Sequence, residues 1–228
     1  MRSSLNFNLL GTFFYIFRLS YVRVAERGES VKKSEHILIK KSSEGDVDAF
    51  EELIKDYEKR AYNIAYRLLK NSEDAMDVVQ EAFIKIYKSI REFKFKSSFS
   101  TWVYRIVVNT SIDFMRSKKV VYSLNEVIKS ERGDINIEIA DYENTPEIEL
   151  EKKLTKELVK KSIDKLDDIH RTVIILRDIQ GFSYNEISEI LGCSLGTVKS
   201  RISRGRIALR EIILKEMEHK DIKLSQKE

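Results

Sequence analysis

Residues Ser183 to Arg210, SYNEISEILGCSLGTVKSRISRGRIALR, constrain this chain more than any other stretch. The run predicts two helices meeting at a tight turn. Ser183 and Glu186 have the Ser-x-x-Glu spacing of a capping box, and Phe182 can staple onto Ile187 across the cap. The first helix should end at Leu191, with Gly192 as a left-handed cap, and Ser194 should cap the second. At 100° per residue, Val198, Ile202, Gly205, Leu209 and Ile212 fall on one stripe of that second helix. Lys199, Ser200, Ser203 and Arg204 point the opposite way, flanked by Arg201 and Arg206. From Leu195 to Arg210 there are five positive charges and no negative one. A solvated amphipathic helix usually mixes its signs, and this one does not. A basic helix held against a short supporting helix is the layout that enters a DNA major groove.

The remainder of the chain is built for helices. One proline and eight glycines in 228 residues disfavour a turn-rich sandwich, so the expected class is all-α. With 42% hydrophobic and 34% charged residues it can bury ordinary cores, and a net charge of only +4 makes the basic surface local. Cys193 is the only cysteine, which excludes a disulfide framework and a cysteine-based metal site. Its place in the turn suits a small packing residue.

Upstream, Asp48 to Leu69 carries Phe50, Leu53, Ile54, Tyr57, Ala61, Ile64, Ala65 and Leu68 at helical spacing. Asn71-Ser72 breaks it. The next helix turns Val79, Ala82, Phe83, Ile86 and Ile90 inward and Asp77, Gln80, Glu81 and Lys85 outward. That acidic, amide-bearing face suits either solvent or a protein partner. A loop follows in which Phe93, Lys94, Phe95, Lys96, Ser97, Ser98 and Phe99 interleave aromatic, basic and hydroxyl residues. Cations for phosphates and rings for unstacked bases are what single-stranded nucleic acid needs. On the helix after it, Val103, Val107, Thr110 and Phe114 share one side. Trp102, Arg105, Asn109, Asp113 and Arg116 share another. Between Glu126 and Glu151 nine acidic residues stand against Lys129 and Arg132, the mark of an acidic linker. Thr145-Pro146 then opens a further helical region, threonine as cap and proline at the first helical position.

Three blocks, in this order and spacing, resemble the two-domain, extracytoplasmic-function group of bacterial RNA polymerase sigma factors. They are EDAMDVVQEAFIKIY (Glu73 to Tyr87), FSTWVYRIVVNTSIDFMR (Phe99 to Arg116) and LRDIQGFSYNEISEILGCSLGTVKSRISRGRIALRE (Leu176 to Glu211). The resemblance covers about Ile37 to Leu214. It implies two helical domains joined by an acidic flexible linker, the C-terminal one a helix-turn-helix. Domain two would span 37–118, the linker 119–145 and domain four 146–217, with an extension over 1–36 and a polar tail over 218–228.

The resemblance also implies roles. Asp77, Gln80 and Glu81 would dock on the clamp of the polymerase's largest subunit, and the second-largest subunit would be a further partner. Phe95, Lys96, Ser97, Ser98 and Phe99 would capture a flipped base of the −10 element. Trp102, Arg105 and Asn109 would lie along its upstream edge. Lys199, Ser200, Ser203 and Arg204 would approach −35 bases and Arg201 the backbone, with Thr197 also among the residues that bind the −35 DNA. The acidic linker would thread the RNA-exit path, and a cognate anti-sigma protein would be a third partner, after core polymerase and promoter DNA. A cytoplasmic, non-enzymatic protein with no cofactor is expected.

Three departures from the family pattern stand out. Met76 replaces an acidic residue, Leu166-Asp167 replaces Leu-Pro, and Asp113 brings a carboxylate to a face expected to meet DNA. A carboxylate there can accept from a cytosine amino group or point away from phosphates. Two other classes compete. A stand-alone helix-turn-helix regulator would need a sensory pocket and no aromatic-cationic loop. A DNA-cutting enzyme would need a nucleophile or a carboxylate-metal set, but His36, His170 and His219 are scattered and the linker carboxylates lack ligand spacing.

The first thirty residues look foreign to the rest. Leu9 to Phe17 is apolar but too short to span a bilayer, and no clean signal-peptide cleavage site follows. Arg27-Gly28-Glu29 can be encoded by a purine run like a ribosome-binding site, and Val31 by a GUG start. Residues 1 to 30 are therefore expected to be absent from the native protein, with a short membrane-touching segment as the alternative.

Overall fold

The structure, a computed structural model, describes residues 30–124 and 146–225, with side-chain surroundings for 35–118 and 153–218. The expectations for the first thirty residues, and those for the linker over 125–145, lie outside the described residues. Eight α-helices are described: α1 Ser30–Glu44, α2 Val47–Leu69, α3 Ser72–Ser89, α4 Phe99–Leu124, α5 Pro146–Asp164, α6 Asp168–Ile174, α7 Tyr184–Leu191 and α8 Leu195–Ser225. A 3-10 turn, Ile90–Glu92, follows α3, and a π turn, Ile175–Ile179, follows α6.

Polar side chains set most of the helix starts. Asp46 opens α2 by accepting from the Ala49 N–H. Lys70 closes it at φ +63°, and Asn71 starts α3 by accepting from the Glu73 and Asp74 N–H groups at 2.8 and 3.0 Å. Asn71 is thus an N-cap as well as a break. Helix α4 continues to Leu124, past residue 118 where the linker was expected to begin, because Lys119 to Leu124 holds neither glycine nor proline to stop it.

Helices α1 to α4 pack around Leu53, Ile64, Leu68, Val78, Ile86, Val103 and Val107, all buried. Helices α5, α6 and α8 pack around Val159, Ile163, Val173, Ile174, Ile202 and Leu209. Gly205 allows the close approach of α8 to α6: a Cβ there would lie 3.1 Å from Ile174 Cγ1.

Asp167, one of the departures noted above, caps α6. Its Oδ1 accepts from Ile169 and His170 N–H at 3.1 and 3.0 Å, and its Oδ2 meets His170 Nδ1 at 2.5 Å. Burial alone would raise the carboxyl's pKa, but the His170 backbone N–H, the His170 ring and the Ile169 N–H outweigh it and hold the value below 3.8. A depressed folded pKa contributes stability above the unfolded value, lost as pH falls through the folded one. Loss of the cap in Asp167→Ala should cost about 1 kcal/mol at neutral pH. In urea denaturation the gap to wild type should narrow as acid protonates the Asp167 carboxylate, whose pKa is held below the ordinary value.

The two halves meet along a seam. Arg60 of α2 lies 5.0 Å from the Tyr104 ring centroid and 4.3 Å from that of Phe182. Its Nη2 donates to the Gln180 carbonyl at 2.7 Å and its Nε to Gln180 Oε1 at 3.3 Å. Tyr104 and Phe182 meet edge-on at 5.5 Å. The π turn makes this possible: Gln180 N–H donates to the Ile175 carbonyl, and Phe182 N–H to that of Leu176, which carries Gln180 and Phe182 back toward α2. Helix α7 packs against α4. Arg171, 6% exposed, donates from Nη2 to Asp168 Oδ1 at 2.6 Å and to the Leu68 carbonyl at 3.2 Å.

Candidate nucleic-acid and polymerase interface

The helix-turn-helix is assembled by its own caps. The Ser183–Glu186 capping box is formed in both directions, at 3.2 and 2.7 Å. Gly192 ends α7 at φ +60°, a conformation that glycine adopts without a Cβ penalty. Ser188 Oγ donates to the Cys193 carbonyl at 2.6 Å and locks the turn. Ser194 Oγ accepts from the Thr197 N–H at 3.1 Å and starts α8.

Helix α8 then divides as its spacing requires. Val198, Ile202, Gly205 and Leu209 are buried; Lys199, Ser200, Ser203 and Arg204 are exposed on the other side. Among the described residues, no carboxylate lies within ion-pair distance of Lys199 or Arg204. Arg206 differs. Its Nε and Nη2 grip Asp178 at 3.1 and 2.5 Å, and that hydrogen bond raises its already high pKa. It fastens α8 to the π turn and leaves the basic face. Thr197 and Arg201 are half-buried. The Thr197 hydroxyl bonds Ser194 Oγ at 2.8 Å, and Arg201 Nη1 lies 4.0 Å from Cys193 Sγ.

On the first half, Asp77, Gln80 and Glu81 all stand on the outer face of α3. Glu81 pairs with Lys85 at 2.7 Å, one turn along. Met76 is 61% exposed and Ile84 also open, one turn before and after Gln80, so an apolar strip runs beside the acidic one.

The aromatic loop divides its rings between core and solvent. Phe93 and Phe99 are buried, and Trp102 is 8% exposed, its ring 5.2 Å from Phe93 and 5.6 Å from Phe99. Phe95 remains 52% exposed, with Lys94 and Lys96 open on either side. Ser98 has a task that its place in the loop did not disclose: its Oγ accepts from the Thr101 N–H at 3.1 Å and so opens α4. Its side-chain-to-Thr101 spacing is the signal that identifies such a cap. Ser97 is half-buried. Arg105, Asn109, Asp113 and Arg116 form an exposed stripe along α4, and Asp113 meets Arg116 at 3.7 Å. Both partners are well exposed, so that pair adds little stability.

Among the described residues, no group of three His, Cys, Asp or Glu side chains gathers to hold a metal ion. No described helix is long and apolar enough to cross a membrane.

Two family models match. Sigma-70 region 2 matches residues 53–120, which contain the acidic face, the loop and the stripe of α4; Sigma-70 region 4 matches residues 156–209, which contain the helix-turn-helix. The chain is 41% identical over 174 residues to the ECF RNA polymerase sigma factor SigW of Bacillus subtilis, covering 76% of this chain and 93% of that one. It is 34% identical over 182 residues to the ECF RNA polymerase sigma-E factor of Escherichia coli K12, covering 79% and 94%. Among solved structures, the sigma factor RpoE in complex with the anti-sigma factor NepR from Bartonella quintana superposes with a TM-score of 0.57 at 26% identity, over 72% of this chain and 96% of that one. CnrH in complex with the cytosolic domain of CnrY shares the fold, with a TM-score of 0.55 at 24% identity. A basic helix-turn-helix, an aromatic-cationic loop and an acidic helix face in one chain, matched by both models and by relatives over nearly their full length, place this protein in the ECF group of RNA polymerase sigma factors.

Proposed function

We propose that this sigma factor divides its work between four surfaces. The outer face of α3 (Asp77, Gln80, Glu81) docks on the clamp of core polymerase. The loop from Phe95 to Phe99 receives an unstacked −10 base, with Phe95 presenting its ring, Lys96 facing phosphate and buried Phe99 forming the floor. Trp102, Arg105 and Asn109 line the upstream edge, where the burial of Trp102 leaves Arg105 and Asn109 as the exposed members. Lys199, Ser200, Ser203 and Arg204 enter the −35 major groove, with Thr197 and Arg201 at its rim. The observation that carries this reading is the outer face of α8, where Lys199 and Arg204 stand without a carboxylate partner while Arg206 is tied to Asp178.

Domain two takes residues 37–118 and domain four residues 146–217 in this reading. The protein acts in the cytoplasm as a dissociable subunit and catalyses no reaction of its own. An anti-sigma partner is supported by the NepR complex of the similar RpoE.

Run-off transcription with purified core polymerase on genomic fragments tests the reading. Wild type should yield discrete transcripts that share a −35 and a −10 sequence; none with active core would refute it. Gln80→Ala combined with Glu81→Ala should weaken core binding about tenfold, as removal of a docking hot spot does, with an unchanged helical spectrum. Undiminished affinity would refute the docking face.

A further inference from the structure

Phe95 alone of the loop residues has a left-handed backbone. Its φ is +54°, in the left-handed region, which a bulky side chain seldom occupies. Such strain persists where the surroundings over-determine it, and it often accompanies function. Here it turns a large ring outward, 52% exposed, above the buried Phe93, whose centroid lies 4.7 Å away.

The ring is not bare. His36 of α1 stacks on it with centroids 4.8 Å apart and planes within 7° of parallel. The other ring contacts of the loop's aromatics are tilted or edge-on. A near-parallel nitrogen heterocycle on an exposed phenyl face is the arrangement a nucleobase would make there. At that separation no second ring fits between the two, so a base can reach this face of Phe95 only when His36 leaves it.

Helix α1 is held where this matters. Tyr57 Oη donates to Glu35, and the Tyr57 ring packs edge-on against Phe99 at 5.5 Å. At the other end, Arg91 Nε donates to the Ser43 carbonyl at 2.8 Å, tying α1 to the 3-10 turn that leads into the loop. His36 itself is exposed, and among the described residues no hydrogen bond holds its imidazole. A rotamer change frees the ring without moving the helix.

We infer that His36 is a removable lid on Phe95, occupying the base-stacking face in the free protein and giving way to the unstacked −10 base. The lid belongs to α1, outside the residues matched by the region 2 model. The inference rests on reading Phe95 to Phe99 as the base-receiving loop. An aromatic stack of this kind is worth enough to lower the affinity for single-stranded DNA about 2- to 10-fold.

The test is a double-mutant cycle on holoenzyme. The probes are a fluorescent non-template-strand oligonucleotide spanning the −10 sequence mapped by run-off transcription, and the same strand made abasic one position at a time. His36→Ala should tighten binding of the intact strand about 2- to 10-fold and leave one abasic strand unaffected. Phe95→Ala should weaken binding of the intact strand about 5- to 150-fold. In the Phe95→Ala background the His36 effect should vanish. Weaker binding with His36→Ala, no change, or the same change with and without Phe95 overturns the lid while leaving the loop's role standing. Binding indifferent to Phe95 overturns the loop assignment and the lid together.

Discussion

Arg171→Ala should destabilise both halves of the molecule together, by about 2–4 kcal/mol. Arg171 lies in α6, yet its Nη2 donates to the Leu68 carbonyl at the end of α2, to Asp168 Oδ1, and at 3.4 Å to Met115 Sδ. Its Nη1 reaches the Leu166 carbonyl at 3.4 Å. Alanine would leave two carbonyls short of a donor, at about 1–3 kcal/mol each where water cannot replace it. Breaking a fully buried ion pair costs about 3–5 kcal/mol. Asp168 is partly exposed, its side chain at 29%, and can rehydrate, which places the expected loss below the top of that range. The readout is built in. Trp102 is the only tryptophan and sits in the core of the first half. In urea denaturation its fluorescence should report a lower midpoint when Arg171, in the second half, is removed. An unchanged Trp102 midpoint would mean that the halves unfold independently and that the seam contributes nothing in solution. Arg171→Met, which keeps most of the apolar volume, should separate the loss of the cation from the loss of packing.

Arg204→Ala should cost about 1–3 kcal/mol of affinity for the correct −35 sequence and much less for scrambled duplex, if the guanidinium reads a base edge. The contrast with Arg206 sharpens this. Both arginines stand on α8, two residues apart, but Arg206 is spent on Asp178. Arg206→Ala should lower stability, by detaching α8 from the π turn, and affect specificity little. Gel-shift titrations of both variants on cognate and scrambled duplex at one stated salt concentration decide the matter. Equal losses on both duplexes would move Arg204 to the phosphate-contacting class.

How legible these features were in the sequence follows from the range of the interactions that make them. The capping box at Ser183, the left-handed Gly192 and the Ser194 cap are formed by residues three to five apart, and each occurs where its spacing pointed. The buried stripe Val198–Ile202–Gly205–Leu209 is equally local, because helical periodicity alone decides which face turns inward. The outward placement of Asp77, Gln80 and Glu81 follows from the same rule. The aromatic loop was only half legible. Its composition shows that rings and cations coexist, but burial of Phe93 and Phe99 and exposure of Phe95 depend on the sign of one backbone angle and on what α2 and α4 place beneath it. Ser98 looked like a loop hydroxyl and proved to be a cap, since its partner, the Thr101 N–H, is a backbone group that composition does not reveal.

By itself the sequence determined an all-helical chain, the two-helix corner that ends in a basic face, and the acidic face of α3. These depend on hydrogen bonds and periodicities that close within a few residues. Only the tertiary structure decided that Arg60 lies over the Tyr104 and Phe182 rings, that Arg171 reaches across to Leu68, that Arg206 is withdrawn from the basic face, and that His36 covers Phe95. Each of those contacts joins residues distant in the chain. An arginine or a histidine carries the same chemistry in solvent, on a nucleic acid or against another ring, and only the packing of the helices determines which of these it meets.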